Sequence, residues 1–345
     1  MSAILESDLD RLVERTSDLW EGLRNARIFI TGGTGFFGCW LLASFLRANA
    51  AHDLNATAVV LTRDPAAFQN RHPELTDRHS LLLHRGEITT FDFPGGKFSH
   101  VIHAASDLSQ SNQPNPVGLI ESTLKGCRRV MEFAIYKGVK SLLYTSSGAV
   151  YGPMTPRRGP LTEESNVSAL PLKASSAYAE AKRLGELICA LTAEPHGISL
   201  KIARGFAFIG PYLALESHLA AASFIRSALK GEDIVIQSHG KTIRSYLYGA
   251  DLAQWLWTIL IHGQHAQPYN VGSDNPISIQ SLAESIIAMS GSQSKLNIIK
   301  TLRDNEEPEV YLPNIDRART ELKLDIFTKF DEAILNTFLH HQQTR

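Results

Sequence analysis

Residues 27–38 read Arg27-Ile28-Phe29-Ile30-Thr31-Gly32-Gly33-Thr34-Gly35-Phe36-Phe37-Gly38. The first part, Arg27 to Thr31, is rich in apolar and β-branched residues and predicts a short buried strand. Closely spaced glycines follow, and the run from Phe36 to Arg47 then has helical character. A strand, a glycine-rich turn and a helix in this order predict an α/β fold whose turn binds a dinucleotide.

The glycines of this turn have GxxGxxG spacing, at Gly32, Gly35 and Gly38. A tight turn needs a residue without Cβ, a pyrophosphate needs bare backbone to approach, and the helix must pack close to its strand. Free N–H groups at the start of the helix, around Phe36 and Phe37, meet the phosphates with a favourable dipole. We therefore expect these five residues to bind the cofactor.

Composition excludes several classes of function. The chain has 345 residues, of which 43% are hydrophobic, and a formal net charge of -1. The chain is long and apolar enough to bury a full hydrophobic core, but it has no excess of positive charge with which to bind nucleic acid or an anionic membrane. No apolar run reaches the ~18 residues that a membrane span needs.

The cysteines and the first residues of the chain indicate the cellular compartment of the protein. Cys39, Cys127 and Cys189 form no CxxC pair and are odd in number, which argues against a disulfide framework or a metal site. The first residues are acidic and polar, unlike a signal peptide. We expect a cytoplasmic protein that binds no metal.

Strand and helix patterns alternate over the first half of the chain, which predicts a doubly wound parallel sheet of the Rossmann type. We expect residues 26–205 to form the NAD(P)-binding domain, with residues 242–272 returning to it. Residues 206–241 and 273–345 would form a smaller C-terminal α/β substrate-binding domain. Residues 1–25 predict a helical extension before the first strand.

The residues after the second predicted strand, 56–61, bear on the choice of cofactor. An NAD-specific site usually has Asp or Glu at the end of this strand, to hold the ribose 2′-OH. Here Thr62 is followed by Arg63, and an arginine can pair with the 2′-phosphate of NADP. Asp53 precedes the strand, whereas Asp64 could still hold a ribose. The pattern favours NADP and leaves NAD possible.

Two further predicted strands contribute residues to the cofactor site. Glu87 and Ile88 follow the third strand, and Ala104 and Ala105 lie in the fourth. The small residues of the fourth strand allow its backbone to lie beside the cofactor, and we expect all of these residues to line the site. We interpret His103 as a positioned strand residue rather than an acid or base.

Tyr178 and Lys182 are four residues apart on a predicted helix and therefore share a face. A lysine ammonium close to a phenol favours the phenolate. Such a tyrosine can exchange a proton with a sugar hydroxyl or a ketone near neutral pH. The position of the pair, after the fifth strand of a dinucleotide-binding fold, predicts a catalytic role.

Several segments together resemble the extended short-chain dehydrogenase/reductases, and more narrowly their nucleotide-sugar epimerase/dehydratase branch. The similarity covers roughly residues 26–335. The segments are Thr31–Gly38, Thr145–Gly152, Tyr178-x-x-x-Lys182, Arg204–Pro211, Arg244–Asp251, Tyr269–Gly272 and Tyr311–Arg319.

This resemblance implies roles for individual residues. Ser147 would hydrogen-bond the sugar oxygen that Tyr178 protonates or deprotonates, and Ser146 is the alternative. Lys182 would also hold the nicotinamide ribose. Arg244, which we expect in a strand over residues 244–248, resembles the arginine that binds the substrate diphosphate; a charge-assisted, bidentate contact suits that task. Its alternative is an ordinary surface arginine.

The chain also departs from the family pattern. The 4,6-dehydratases usually carry Asp-Glu directly after the catalytic hydroxyl, and the UDP-glucuronate decarboxylases carry Glu at the second position. Here Gly148 and Ala149 stand there and cannot transfer protons. Ala207 and Thr123 replace asparagines that are common in the family. Glu180 resembles a decarboxylase feature, but it lies about 200° round the helix from Tyr178, and we interpret it as structural.

Small residues beside Ser147 suit a reaction that needs only hydride transfer and one tyrosine proton. We therefore favour an NDP-sugar 4-epimerase, and an NADPH-dependent 4-keto-sugar reductase is the alternative. A dehydratase or decarboxylase would need an acid from elsewhere, such as Glu163, Glu164 or Glu180. A dinucleotide-binding sensor without catalysis is the non-enzyme alternative.

The expected partner is a nucleotide-sugar substrate, with no nucleic acid and no membrane. The resemblance also implies a homodimer, formed through the helices near Leu124 and Ala181.

Overall fold

The computed structural model describes residues 2–76, 79–105, 115–152, 159–165, 170, 172–302 and 307–343. The strands are β1 (Arg27–Thr31), β2 (Thr57–Thr62), β3 (Leu81–Arg85), β4 (His100–His103), β5 (Ser141–Ser147), β6 (Ser199–Gly205), β7 (Phe208–Ile209), β8 (Ile234–Ile236), β9 (Ile243–Arg244), β10 (Leu247–Tyr248), β11 (Pro268–Val271), β12 (Ile277–Ser278) and β13 (Leu296–Ile298).

The α-helices of the described ranges alternate with these strands. They are α1 (Ala3–Arg15), α2 (Phe36–Ala51), α3 (Pro65–Arg71), α4 (Pro73–Thr76), α5 (Pro116–Lys137), α6 (Ala177–Ala193), α7 (Ala220–Lys230), α8 (Gly249–His262), α9 (Ile279–Ser290), α10 (Asp316–Leu322) and α11 (Phe330–Gln343).

A seven-stranded sheet with the order β11-β6-β5-β4-β1-β2-β3 forms the centre of the molecule. Its neighbouring strands are all parallel. The order reverses between β1 and β4, and this switch point is where open α/β sheets bind ligands, beyond the carboxyl ends of their strands. The predicted doubly wound parallel sheet is confirmed.

Both faces of the sheet are covered by helices, as β1 illustrates. Ile28 and Ile30 of β1 pack into a core with α1, α2 and α8, whereas Phe29 packs into a second core with α5 and α6. Alternate residues of a strand face opposite sides. The three consecutive apolar residues of β1 therefore require burial on both faces.

The N-terminal residues pack onto this layer rather than extending away from it. Helix α1 contacts α2, α8 and α11, and Trp20 is fully buried against Trp257 of α8. Asp8 of α1 accepts a hydrogen bond from the Tyr248 hydroxyl. The extension is thus part of the core of the molecule.

A smaller layer follows β6, in which α7, α9 and α11 pack together beside the paired strands β8 and β13. The single strand expected over residues 244–248 is wrong. Strand β9 pairs with β12, and β10 pairs with β7, so the two segments belong to different sheets. The chain passes between them through Ser245 and Tyr246. In the ranges described, no helix is long and apolar enough to cross a bilayer.

Candidate active site

The glycine-rich turn between β1 and α2 leaves no room for side chains at two of its positions. Gly32 has a φ of +71°, and a Cβ there would lie 2.4 Å from the carbonyl carbon of Ala104. A Cβ on Gly38 would lie 2.2 Å from the carbonyl carbon of Gly33. Glycine is thus required for backbone conformation at Gly32 and for close packing of the helix at Gly38.

The third position of the turn is open instead. Gly35 is the N-cap of α2 and is exposed, and a Cβ there would be no closer than 3.6 Å to the nearest atom, the Gly32 carbonyl oxygen. Phe36 and Phe37 begin the helix, and the Phe37 ring packs on Phe208 with 4.8 Å between centroids. An open helix N-terminus behind a bare turn fits the pyrophosphate of a dinucleotide.

The ends of β1 and β4 are joined beside this turn. The Thr31 hydroxyl lies 2.8 Å from Nδ1 of His103, and the Ala105 N–H donates to the same hydroxyl at 3.2 Å. His103 is almost fully buried. These contacts hold Ala104 and Ala105 against Gly32 at the switch point of the sheet.

The residues expected near the ribose lie after β2 and β3. Thr62 ends β2 and Arg63 is exposed. The Asp64 carboxylate accepts the Ala67 N–H at 3.0 Å and caps α3, so it is already engaged. Glu87 is exposed after β3, and the Ile88 side chain packs against α5.

The expected catalytic residues lie on β5 and on α6, which packs against it. Lys182 is 3% exposed, and its ammonium donates to the Thr145 carbonyl at 2.9 Å. The Ser147 hydroxyl oxygen accepts the Ala149 N–H at 3.1 Å, where Ser147 caps a short 3-10 turn, Gly148–Tyr151. Tyr178 is half-buried, one turn before Lys182 on α6.

Tyr311, which no local sequence pattern assigns to the site, lies beside the turn that follows Ser147. Its hydroxyl oxygen lies beside Gly148, 2.5 Å from the position that a Cβ of this glycine would occupy. Burial raises the pKa of the Tyr311 phenol. The available signal was the position of Tyr311 at the start of the segment Tyr311–Arg319, which resembles the family's closing segment.

Ser146, the alternative catalytic hydroxyl, lies on β5 next to Ser147. Its oxygen is buried and has no hydrogen-bond partner among the described residues.

No side chain fits at position 148. A Cβ on Gly148 would lie 2.5 Å from the Tyr311 hydroxyl oxygen and 2.8 Å from Cζ of Phe206. The two aromatic rings pack with 4.7 Å between centroids and occupy this space. An acid at this position would require both rings to move.

Arg244 of β9 lies beside the same aromatic pair. Its guanidinium is 5.2 Å from the centroid of the Tyr311 ring and pairs with Glu309 at 3.0 Å. The Arg244 side chain is 26% exposed, so it is supported by protein on one side and open to solvent on the other. That arrangement suits an arginine that binds an anionic ligand.

A buried polar network supports the floor of the site. Asn270 is fully buried; its backbone N–H donates to the Glu163 carboxylate at 2.8 Å, and its side-chain oxygen accepts from the Tyr151 hydroxyl at 2.8 Å. Arg204 makes a two-pronged contact with Glu186 at 2.9 and 2.7 Å and donates to Tyr151. Burial raises the pKa of Glu163.

Comparison with known proteins gives the same family as the sequence motifs. The model of the NAD dependent epimerase/dehydratase family matches residues 28–272. The chain belongs to this family. The resemblance stated from the motifs is confirmed.

Relatives and solved structures extend the comparison beyond the matched segment. UDP-glucuronic acid decarboxylase 6 of Arabidopsis thaliana is 28% identical over 313 residues, which cover 90% of this chain and 87% of the relative. The UDP-glucose 4-epimerase of Thermotoga maritima superposes with a TM-score of 0.77 at 19% identity, covering 92% of this chain and 99% of its own. The UDP-glucuronic acid 4-epimerase of Bacillus cereus superposes with a TM-score of 0.77 at 19% identity. The match covers 92% of this chain and 100% of that one. The two structures establish the fold.

The acids considered as replacements for the family's acidic pair are all engaged elsewhere. Glu163 accepts the Asn270 N–H, Glu164 pairs with Arg317, and Glu180 pairs with Arg183 at 3.6 Å. Thr123, which stands where the family often has asparagine, donates back to the Leu119 carbonyl at 2.8 Å. Among the described residues, no three His, Cys, Asp or Glu side chains are grouped so that they could hold a metal ion.

Proposed function

We propose that the protein is a nucleotide-sugar enzyme that acts at C4 of the sugar, as an NDP-sugar 4-epimerase. One observation carries the proposal. Ser147 ends β5, the Lys182 ammonium donates to the Thr145 carbonyl of the same strand, Tyr178 precedes Lys182 by one turn of α6, and aromatic rings fill the space at Gly148. The site has the groups for one proton transfer but lacks a second acid beside Ser147.

The cofactor of the proposed enzyme is a nicotinamide dinucleotide. The bare turn at Gly32 and the open N-terminus at Gly35 fit its pyrophosphate. The Bacillus cereus epimerase with the same fold is in complex with NAD. Arg63 favours NADP in this chain, because Asp64 is engaged in capping α3, whereas an arginine can pair with a 2′-phosphate. NAD remains the alternative cofactor.

Each of the three side chains has a separate role in the proposed epimerisation. Tyr178 accepts the proton of the C4 hydroxyl, and the Lys182 ammonium stabilises the charge on the phenol oxygen. Ser147 donates a hydrogen bond to the C4 oxygen throughout. A nicotinamide dinucleotide held by the turn at Gly32 and Gly35 would supply the hydride chemistry at C4, as both oxidant and reductant. Tyr178 then gives its proton back, so the reaction is neutral overall.

Arg244 would hold the substrate diphosphate while the sugar turns. Arginine binds phosphate oxygens in a bidentate manner, and it can exchange its present carboxylate partner, Glu309, for a phosphate. Because the diphosphate is common to all nucleotide sugars, this contact does not select the base or the sugar.

Decarboxylation of a nucleotide-linked uronic acid is the second candidate. It is favoured by the Arabidopsis relative, a UDP-glucuronic acid decarboxylase. Oxidation at C4 of a sugar with a C5 carboxylate gives a β-keto acid, which can lose carbon dioxide without a further acid. Oxidation at C4 is therefore the first step for both candidates. Ala149 stands where the decarboxylases carry glutamate, and this difference favours epimerisation.

UDP-glucuronate distinguishes the two candidates in a single experiment. The purified protein is incubated with it and with NAD or NADP, and the products are followed by proton NMR. Inversion at C4 with the carboxylate retained supports epimerisation, whereas a pentose and carbon dioxide support decarboxylation. UDP-, dTDP-, GDP- and CDP-sugars are tested in parallel.

The same assays cover the remaining alternatives. Consumption of NADPH with a 4-keto sugar would indicate a reductase, and loss of the C6 hydroxyl a dehydratase. Tight dinucleotide binding with no turnover of any nucleotide sugar would contradict the proposal and support a sensor.

A further inference from the structure

One buried arginine, Arg204 near the carboxyl end of β6, contacts both of the elements that carry the expected catalytic residues. Two nitrogens of its guanidinium donate to the Glu186 carboxylate of α6, at 2.9 and 2.7 Å. The third nitrogen donates to the Tyr151 hydroxyl at 2.9 Å and to the Glu163 carbonyl at 3.1 Å. All three nitrogens of the guanidinium are therefore engaged, with partners on three different segments of the chain.

The contact with Glu186 holds the helix that carries Tyr178 and Lys182. Glu186 comes four residues after Lys182 on α6, so these two side chains lie on the same side of the helix. The Arg204 and Glu186 side chains are only 15% and 11% exposed, so the ion pair is largely shielded from water. A shielded, two-pronged ion pair holds its partners in one geometry more firmly than a single exposed contact does.

The contact with Tyr151 holds the short turn that follows β5. Tyr151 is the last residue of this 3-10 turn, and Ser147 caps its start. The Tyr151 hydroxyl accepts from Arg204 and donates at 2.8 Å to the side-chain oxygen of Asn270, which is fully buried. The end of the turn is thus held between β6 and β11.

We propose that Arg204 is a positioning residue, which keeps the helix of Tyr178 and Lys182 and the turn of Ser147 in one fixed arrangement. The proposal rests on the proposed function at C4. Proton transfer at a sugar oxygen requires the phenol and the serine hydroxyl to lie within hydrogen-bond reach of the same atom. Because the nitrogens of Arg204 are engaged by protein groups, it acts through these partners and not on the sugar itself.

Arg204→Lys tests this role, because lysine keeps the positive charge but has one nitrogen in place of the guanidinium fork. We expect kcat to fall about 10- to 100-fold, since a misplacement of about 1 Å can reduce the rate about 100-fold. KM should stay within about twofold, because the diphosphate and the dinucleotide are held elsewhere. Steady-state kinetics with the nucleotide sugar that the wild type converts measure both constants.

The control is Asp8→Asn, which removes the charge of a buried ion pair on α1. The Asp8 side chain is 1% exposed, pairs with Arg11 and accepts from the Tyr248 hydroxyl. This variant should lower the melting temperature, as Arg204→Lys does, but leave kcat within about twofold of the wild type. A kcat of Arg204→Lys within about twofold of the control would overturn the proposal, as would a rise in KM with kcat retained.

Two further variants keep Arg204 and each weaken one of its contacts. Glu186→Gln removes the charge that pairs with the guanidinium, and Tyr151→Phe removes only a hydroxyl. Each should lower kcat. Combined, they should lower it by less than the product of the two separate effects, because either change already uncouples the helix from the turn. Effects that simply multiply would contradict a shared role of Arg204.

A second readout does not depend on activity. Crystal structures of the wild type and of Arg204→Lys give the distance from the Lys182 ammonium to the Thr145 carbonyl, 2.9 Å here, and from the Ala149 N–H to the Ser147 hydroxyl, 3.1 Å here. At least one of them should exceed about 3.5 Å in the variant, beyond hydrogen-bond reach. If the wild type converts no nucleotide sugar, the proposed function fails, whereas these distances still test Arg204. Two unchanged distances would refute its positioning role.

Discussion

At the scale of single residues, the proposed chemistry depends on the Tyr178 hydroxyl. We expect Tyr178→Phe to reduce turnover on the order of 1,000-fold, since general acid–base catalysis contributes about 100- to 10,000-fold. Cofactor affinity should change only a few-fold, because the glycine turn is untouched. NMR turnover assays and cofactor fluorescence titrations measure the two effects.

The control for this substitution is Tyr212→Phe, which removes a buried phenol hydroxyl that has no hydrogen-bond partner among the described residues. Its turnover should equal that of the wild type. Undiminished turnover by Tyr178→Phe would remove the tyrosine from the mechanism.

Arg63 is the residue that decides between the two cofactors in our interpretation. Arg63→Ala should weaken NADP binding roughly 10- to 100-fold, the value of a charge-assisted hydrogen bond, and leave NAD binding nearly unchanged. Isothermal titration with each dinucleotide gives both constants, and NAD serves as the internal control. Equal losses for the two cofactors, or no NADP binding by the wild type, would contradict the preference.

At the scale of elements, glycines in the turn between β1 and α2 have two different roles, close packing at Gly38 and an open binding surface at Gly35. Gly38→Ala should lower the free energy of unfolding by about 1–3 kcal/mol, because the methyl group would overlap the Gly33 backbone. Gly35→Ala has open space and should cost less than about 1 kcal/mol, but it should weaken dinucleotide binding.

Urea unfolding without cofactor and titration with cofactor measure these two effects separately. The same substitution at the two sites controls for the loss of glycine entropy. Equal destabilisation by both variants would show that close packing at Gly38 does not matter.

Helix α8 carries a buried carboxyl that makes stability depend on pH. Asp251 accepts the Thr328 N–H at 3.0 Å, and burial raises the pKa of Asp251 from 3.8 to about 6. The folded state therefore favours the protonated form, whose stabilising effect is present below about pH 4 and is lost as pH rises through 6.

Asp251→Asn mimics the protonated carboxyl at every pH. Its stability relative to the wild type should therefore increase between pH 4 and pH 7, by about 2 kcal/mol. Urea unfolding at several pH values measures the stability difference between the variant and the wild type. Effects of the substitution that do not depend on pH cancel when this difference is compared between pH values. A difference that stays constant over this range would contradict the buried-carboxyl explanation.

At the scale of the whole molecule, α6 presents an exposed apolar stripe. Leu184, Leu187 and Leu191 are 40%, 52% and 64% exposed, and Tyr136 on the neighbouring α5 is 72% exposed. An exposed apolar stripe on two packed helices is typical of a subunit interface. We propose that the homodimer expected from the family resemblance forms here.

Leu187→Glu combined with Leu191→Glu should convert the dimer into a monomer, because the charges would be buried without partners. Size-exclusion chromatography with light scattering gives the mass. Leu82→Glu, at an exposed leucine on β3 at the far edge of the sheet, should leave the mass unchanged. A monomeric wild type would refute this interface.

Much of the site could be predicted because its signals lie close together in the chain. The turn from Gly32 to Gly38 joins one strand to the next helix, and Tyr178 and Lys182 share one helical face. Contacts between distant segments carry no such local signal. Local patterns therefore do not assign Tyr311 to the site, and they predict one strand where β9 and β10 pair with different strands.

By itself, the amino-acid sequence determined the doubly wound sheet, the family and the principal candidate residues, since local periodicity and spacing encode strands, helices and turns. Only the tertiary structure decided that the rings of Tyr311 and Phe206 fill the space at Gly148 and that Glu163 is engaged by Asn270. The physical reason is that each of these contacts joins segments far apart in the chain. Their approach is set by the packing of the whole core.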